Sequence, residues 1–196
     1  MPDNEKNEAG KIAIILPGIG YTPDMPLLYF GRDLLMLAGY TDCRKVVFSY
    51  PGKASIKGNA QKMKEAAEKL YDMASESLSD IDFSRYDDVF FVSKSIGTVI
   101  AAAYAERNNL NSKRIRHVLY TPLEYTFDYH PKNAIGFTGT ADPWVEHESV
   151  MSLASREGIE MNVYEGADHS LKVRDPMRDI DILKDVITKT KTFIFE

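Results

Sequence analysis

The sequence predicts an α/β fold, a three-layer, doubly wound and mainly parallel sheet of about six strands between two layers of helices. Three observations carry this. Short apolar runs rich in β-branched residues recur along the chain and stop at Gly, Pro or polar clusters. Amphipathic stretches long enough for helices separate most of them. The first run, Ile12-Ala13-Ile14-Ile15-Leu16, is apolar at every position, as suits a strand covered by helices on both faces.

Taken in order, residues 1–10 are polar and rich in Asn and Glu, too poor in apolar side chains to pack, so a disordered tail is expected there and one domain over residues 11–196. The first strand is stopped by Pro17-Gly18, and a helix follows over 26–38. The second strand is expected at 45–48. The clearest helix is 59–78, where Met63, Ala67, Leu70, Ala74 and Leu78 form one stripe while Lys62, Glu65, Lys69 and Asp72 face water. Strands are then expected at 88–92, 115–120, 134–138 and 161–164, with helices at 96–107, 146–157 and 177–193. If the second strand lies outside the first and the third pairs on the first's other side, strand order reverses between Pro17 and Ser95. A crevice then opens at the strands' carboxyl ends.

Composition narrows the function classes. With 44% hydrophobic and 27% charged residues, the 196-residue chain is neither a disordered nor a membrane sequence. Its apolar runs, 12–17 among them, are far shorter than the about 18 residues a membrane helix needs, so no membrane span is expected. The start Met1-Pro2-Asp3-Asn4-Glu5 lacks a signal-peptide core, and a cytoplasmic protein is expected. The single cysteine, Cys43, cannot form an internal disulfide and reads as a strand residue. A net charge of −5 with no basic block removes the attraction on which nucleic-acid binding relies, so nucleic acid is not an expected partner. The oligomeric state stays open.

The residues that carry chemistry begin directly after the strand ending at Phe91-Val92. There Ser93-Lys94-Ser95-Ile96-Gly97 leads into the helical stretch Thr98-Val99-Ile100-Ala101-Ala102-Ala103. Serine is also a common helix cap, but a strand before it and an Ala-rich helix after it are the context of a nucleophile elbow. Such a turn strains the serine backbone, so the positions two before and two after must be small. Ser93 and Gly97 satisfy this. The elbow lifts the Ser95 hydroxyl out of the turn and offers helix N-terminal N–H groups to developing negative charge.

A serine hydroxyl needs a neighbouring base. Of the four histidines, His169 lies in a polar loop, Gly166-Ala167-Asp168-His169-Ser170, between the last strand and the final helix. His117 lies inside a strand, His130 in a loop before Pro131 and His147 at a helix start, which are structural or surface settings. The base in turn needs an acceptor on its other nitrogen. Asp142, in Gly139-Thr140-Ala141-Asp142-Pro143 after the strand at 134–138, is the candidate; it could also be a turn or cap aspartate. Asp168 adjoins His169 and is expected to point elsewhere, and Glu124 is the reserve acid.

The order Ser95, Asp142, His169 resembles that of the α/β-hydrolase superfamily, over residues 11–196. The resemblance is carried by Pro17-Gly18-Ile19-Gly20, Ser93-Lys94-Ser95-Ile96-Gly97, Gly139-Thr140-Ala141-Asp142 and Gly166-Ala167-Asp168-His169. It is greatest to short, lidless members, the dienelactone-hydrolase-like and small esterase-like proteins. Ser93 stands where such proteins usually have glycine, and Pro17 where a histidine often precedes the loop glycine. The resemblance implies two oxyanion-hole donors, the backbone N–H groups of Ile96 and Ile19. It also implies an open site, since only a short loop fills the place where many relatives insert a cap domain. That loop carries Tyr125, Phe127 and Tyr129, and the Pro17 loop leads into Tyr21, Met25, Leu27 and Tyr29. Tyr21, Tyr125 and Phe127 are the expected substrate-lining residues.

The expected reaction is hydrolysis of a small-molecule carboxylic ester or thioester through an acyl-enzyme, with neither cofactor nor metal. The alternative is a non-catalytic protein that keeps this fold for binding. Gly18-Ile19-Gly20-Tyr21-Thr22-Pro23 begins like a dinucleotide fingerprint, but Pro23 replaces its third glycine and no acidic residue ends the next strand. Gly52-Lys53-Ala54-Ser55 lacks the upstream glycine of a phosphate loop, leaving Lys53 a surface residue.

Overall fold

The computed structural model describes residues 10–50, 56–110 and 114–196. Residues 1–9 of the expected tail, and the segment holding Lys53, lie outside the described residues. Gly10 already belongs to the fold, its carbonyl accepting hydrogen bonds from the N–H groups of Asp87 and Asp88 at 2.9 and 3.2 Å.

The strands are β1 (Lys11–Leu16), β2 (Asp42–Lys45), β3 (Asp88–Lys94), β4 (Arg114–Tyr120), β5 (Ala134–Gly139) and β6 (Glu160–Tyr164). They form one sheet in the order β2-β1-β3-β4-β5-β6, every pair parallel. The order reverses between β1 and β3, which puts the expected crevice between the loop after β1 and the turn after β3.

The period-2 alternation of β1 divides the core. Ile12, Ile14 and Leu16 face one layer, α2 (Ala60–Ser77) and α3 (Ile96–Arg107). Ala13 and Ile15 face the other, α1 (Pro26–Leu37) and α5 (Pro176–Phe195). A further helix, α4 (His147–Arg156), lays Val150 and Ala154 over Leu119 and Phe127. Local chemistry sets the helix starts: Pro26 and Pro176 open α1 and α5, Asn59 caps α2 through the Lys62 N–H at 2.9 Å, and the Asp175 carboxylate accepts from the Met177 N–H. Among the described residues no helix is long and apolar enough to cross a membrane.

Three expectations are corrected. The second strand begins at Asp42, not Lys45; it is the edge strand, with β1 as its one neighbour, so polar residues serve it, and the Arg44 guanidinium reaches out to both carboxylate oxygens of Asp80 at 3.0 and 2.8 Å. In α2 the buried position on the stripe is Ala66, with Ala67 only packed against its margin. Ser93 and Lys94, expected in the turn, extend β3 and pair with Leu119 and Tyr120 of β4. Cys43 does sit in β2, and burial pushes its thiol up, away from the reactive thiolate.

The close approach of α3 to β1 requires glycine at position 97. A Cβ there would lie 2.3 Å from the Leu16 carbonyl oxygen and 2.5 Å from that of Pro17, both rigid backbone atoms. Gly97→Ala is therefore expected to destabilise the fold by about 3 kcal/mol, read as a lower urea midpoint. An unchanged midpoint would show that the helix can retreat without cost.

Candidate active site

Ser95 occupies the turn between β3 and α3 at φ 56° and ψ −129°, a conformation non-glycine residues rarely adopt and which costs about 1–3 kcal/mol. Surrounding hydrogen bonds hold it there. The Ser95 N–H donates to the Tyr120 carbonyl at 2.9 Å, and the Ser95 carbonyl accepts from both the N–H and the hydroxyl of Thr98, at 2.9 and 2.6 Å. Having spent its one proton there, the Thr98 hydroxyl accepts from that of Thr126 at 2.6 Å. Two positions back, Ser93 is buried and donates to the Val118 carbonyl at 3.2 Å.

The His169 loop is stitched to the loop that carries Asp142. The Thr140 N–H donates to the Tyr164 carbonyl at 3.1 Å, the Ala141 N–H to the Ala167 carbonyl at 3.0 Å, and the Gly166 N–H to the Thr140 hydroxyl at 2.8 Å. Gly139 permits this contact, since a Cβ there would fall 2.0 Å from the Ala167 carbonyl oxygen. Asp168 is consumed locally, its carboxylate accepting from the N–H groups of Ser170 and Lys172 at 2.7 and 3.3 Å.

These elements bring Ser95, His169 and Asp142 together. His169 Nε2 lies 2.7 Å from Ser95 Oγ, and Nδ1 lies 2.6 Å from Asp142 Oδ2. The other carboxylate oxygen of Asp142 accepts from the Trp144 N–H at 2.9 Å, so both oxygens are oriented. Burial holds the His169 imidazole below its ordinary value, and the nearby Lys94 charge acts in the same direction, against the hydrogen bond and charge of Asp142 and the charge of Asp168. This balance favours the neutral imidazole, with Nε2 free to accept the serine proton when Nδ1 donates to Asp142. Glu124 takes no part; its carboxylate accepts from the Glu146 N–H at 2.9 Å, just before α4.

Ser95 and His169 open on a cleft of about 120 Å³ bounded by Ile19, Tyr21, Met63, Ile96 and Trp144. The backbone N–H groups of Ile19 and Ile96 have no protein acceptor among the described residues. Two further grooves share walls with it. One, of about 320 Å³, runs past Trp144 to Tyr125 and Leu123; the other, of about 430 Å³, runs past Tyr21 and Met25 to Ile180 and Leu183. Phe127 reaches none of them, because it is 3% exposed and packs beneath α4. The remaining histidines are elsewhere: His117 is stacked on Phe91 and driven by burial to a value of about 3, and His130 contacts Glu157 at 3.0 Å. His147 opens α4.

Among solved structures, an esterase from Pyrococcus furiosus aligns over 96% of this chain and 83% of its own, with 14% identity and a TM-score of 0.60. A protein described as an α/β serine hydrolase homologue, from Coxiella burnetii, aligns over 91% of this chain and 84% of its own, with 15% identity and a TM-score of 0.54. This chain has the α/β-hydrolase fold. The sequence matches no protein-family model and no curated protein.

Within the α/β-hydrolase fold, the Ser95 turn follows β3, Asp142 follows β5 and His169 follows β6, so all three emerge at the carboxyl ends of parallel strands. Two residues of the site escaped sequence reasoning. Trp144, whose ring centroid lies 5.7 Å from that of His169, walls the cleft. Its signal was its place two residues after Asp142. The other is Lys94, the last residue of β3, between Ser93 and Ser95 and only 2% exposed. A lysine two residues after the apolar run Val89-Phe90-Phe91-Val92 was the available clue.

Proposed function

We propose that this protein is a serine hydrolase that cleaves a carboxylic ester or thioester. The observation that carries the reading is the unbroken chain of short contacts from Ser95 Oγ through the His169 ring to Asp142. In the proposed reaction Ser95 Oγ bonds to the carbonyl carbon while its proton passes to His169 Nε2. Asp142 stabilises the imidazolium, and the Ile19 and Ile96 N–H groups stabilise the oxyanion. Collapse breaks the bond to the alkoxide or thiolate, which takes the proton from Nε2. Water, deprotonated by the same nitrogen, then releases the carboxylic acid and restores Ser95. Among the structural neighbours, one is named an esterase and one a serine hydrolase homologue, which supports hydrolysis as the reaction class. Tyr21 and Tyr125, on the two grooves that flank the cleft, are proposed to contact the substrate.

Covalent labelling tests this. A fluorophosphonate probe is expected to label the protein at Ser95, and Ser95→Ala to abolish the labelling. A folded wild type that stays unlabelled would favour the non-catalytic reading.

A further inference from the structure

We propose that Lys94 is a positioning residue of this site: its buried ammonium pins the His169 loop to the nucleophile turn and sets a positive charge beside the base. Three loops meet at this one group. Lys94 Nζ donates to the His169 carbonyl at 2.9 Å and to the Thr121 hydroxyl at 3.2 Å, and it lies 4.9 Å from the centroid of the Tyr21 ring. Thr121 follows β4, Tyr21 lies on the loop after β1, and the His169 loop follows β6. Lys94 itself is the last residue of β3, adjacent to Ser95, so its backbone is as rigid as the sheet. An ammonium so deeply buried persists only when its donors are satisfied, and an aromatic face adds to its stabilisation.

The arrangement has two separable consequences. Mechanically, the carbonyl of His169 is tied to the residue next to the nucleophile, which fixes the distance from Nε2 to Ser95 Oγ. Electrostatically, the groups that act on the imidazole are Asp142, across the ring, Asp168, before it in the loop, and Lys94 from the sheet. The two carboxylates favour the protonated ring, whereas Lys94 and burial oppose it. Since the base works only when neutral, activity falls as pH drops through the His169 value. The lysine keeps that fall at lower pH than the carboxylates alone would allow.

The test uses Lys94→Met, which removes donor and charge, and Lys94→Gln, which removes the charge but retains an N–H donor within about one bond length of the ammonium position. Two measurements are made: the His169 imidazole titration by NMR, assigned with His169→Gln, and the pH profile of kcat/KM on a chromogenic acetate ester. In both variants the His169 titration, and the acid limb with it, is expected to move to higher pH. In Lys94→Met the plateau of kcat/KM is expected to fall about tenfold to a hundredfold, and Lys94→Gln is expected to regain part of that loss. A titration that stays where it is in wild type, even with a lowered plateau, would reduce Lys94 to a packing residue and overturn the proposal. If Lys94→Met does not fold, Lys94→Gln decides the titration alone. The kinetic arm rests on the hydrolase reading, but the titration does not. Ester turnover that survives Ser95→Ala would therefore sink that reading while leaving the role of Lys94 to be decided by NMR.

Discussion

Ser95→Ala is expected to lower kcat for ester hydrolysis by about six orders of magnitude, while the protein keeps its fold. The magnitude follows from the geometry. No other hydroxyl is bonded to His169 Nε2 among the described residues, so the variant leaves the base with no proton to take from the protein. What remains is the proposed binding of substrate in the cleft and the proposed polarisation by the N–H groups of Ile19 and Ile96, contributions of the kind that account for the residual rate in comparable sites. Alanine also removes the hydroxyl from a residue held at positive φ without changing its Cβ, so the backbone strain is unaltered. Initial rates on a chromogenic ester, with the thermal midpoint measured on the same samples, provide the check. A rate within tenfold of wild type would assign the chemistry to another residue.

Asp142→Asn is expected to reduce kcat by about four orders of magnitude with little loss of stability. The carboxylate uses Oδ1 to accept from the Trp144 N–H and Oδ2 to meet His169 Nδ1. Asparagine can keep the first contact with its carbonyl oxygen, which turns its NH₂ group toward Nδ1. The imidazole then presents a lone pair there and carries its proton on Nε2, the wrong nitrogen for accepting one from Ser95. Removal of the carboxylate also takes away a group that favours the protonated ring, so less stabilisation is left for the imidazolium that forms during reaction. Steady-state kinetics with a parallel unfolding curve separates this from misfolding. Activity reduced less than tenfold would mean that Asp142 is a turn residue and that another group orients the base.

Several features were legible in the chain because they are local. Ile12 to Leu16 shows a strand buried on both faces through its composition alone, and Ser93, Gly97 and the alanines after them show a tight strand-to-helix turn. Asp142 and His169 could be chosen from sequence because each lies just beyond a strand, where such folds build their sites. The edge strand is hard to place from sequence because its burial comes from a single neighbour, and periodicity reports burial more directly than pairing. Phe127 reads from sequence as a cleft residue because an aromatic in a loop gives no sign of which neighbour it faces; the helix that covers it begins twenty residues later in the chain, at His147.

By itself, then, the amino-acid sequence determined the succession of strands and helices, the strained serine and the kinds of side chain available to it, since each depends on propensities and spacings within a few residues. The tertiary structure alone decided which of those side chains meet. Ser95 and His169 are 74 positions apart, and Lys94 and the carbonyl it holds are 75 apart. Contacts at that separation depend on strand order and on loops packed against one another. Their energy is gained only after the sheet has assembled, and no local pattern records it.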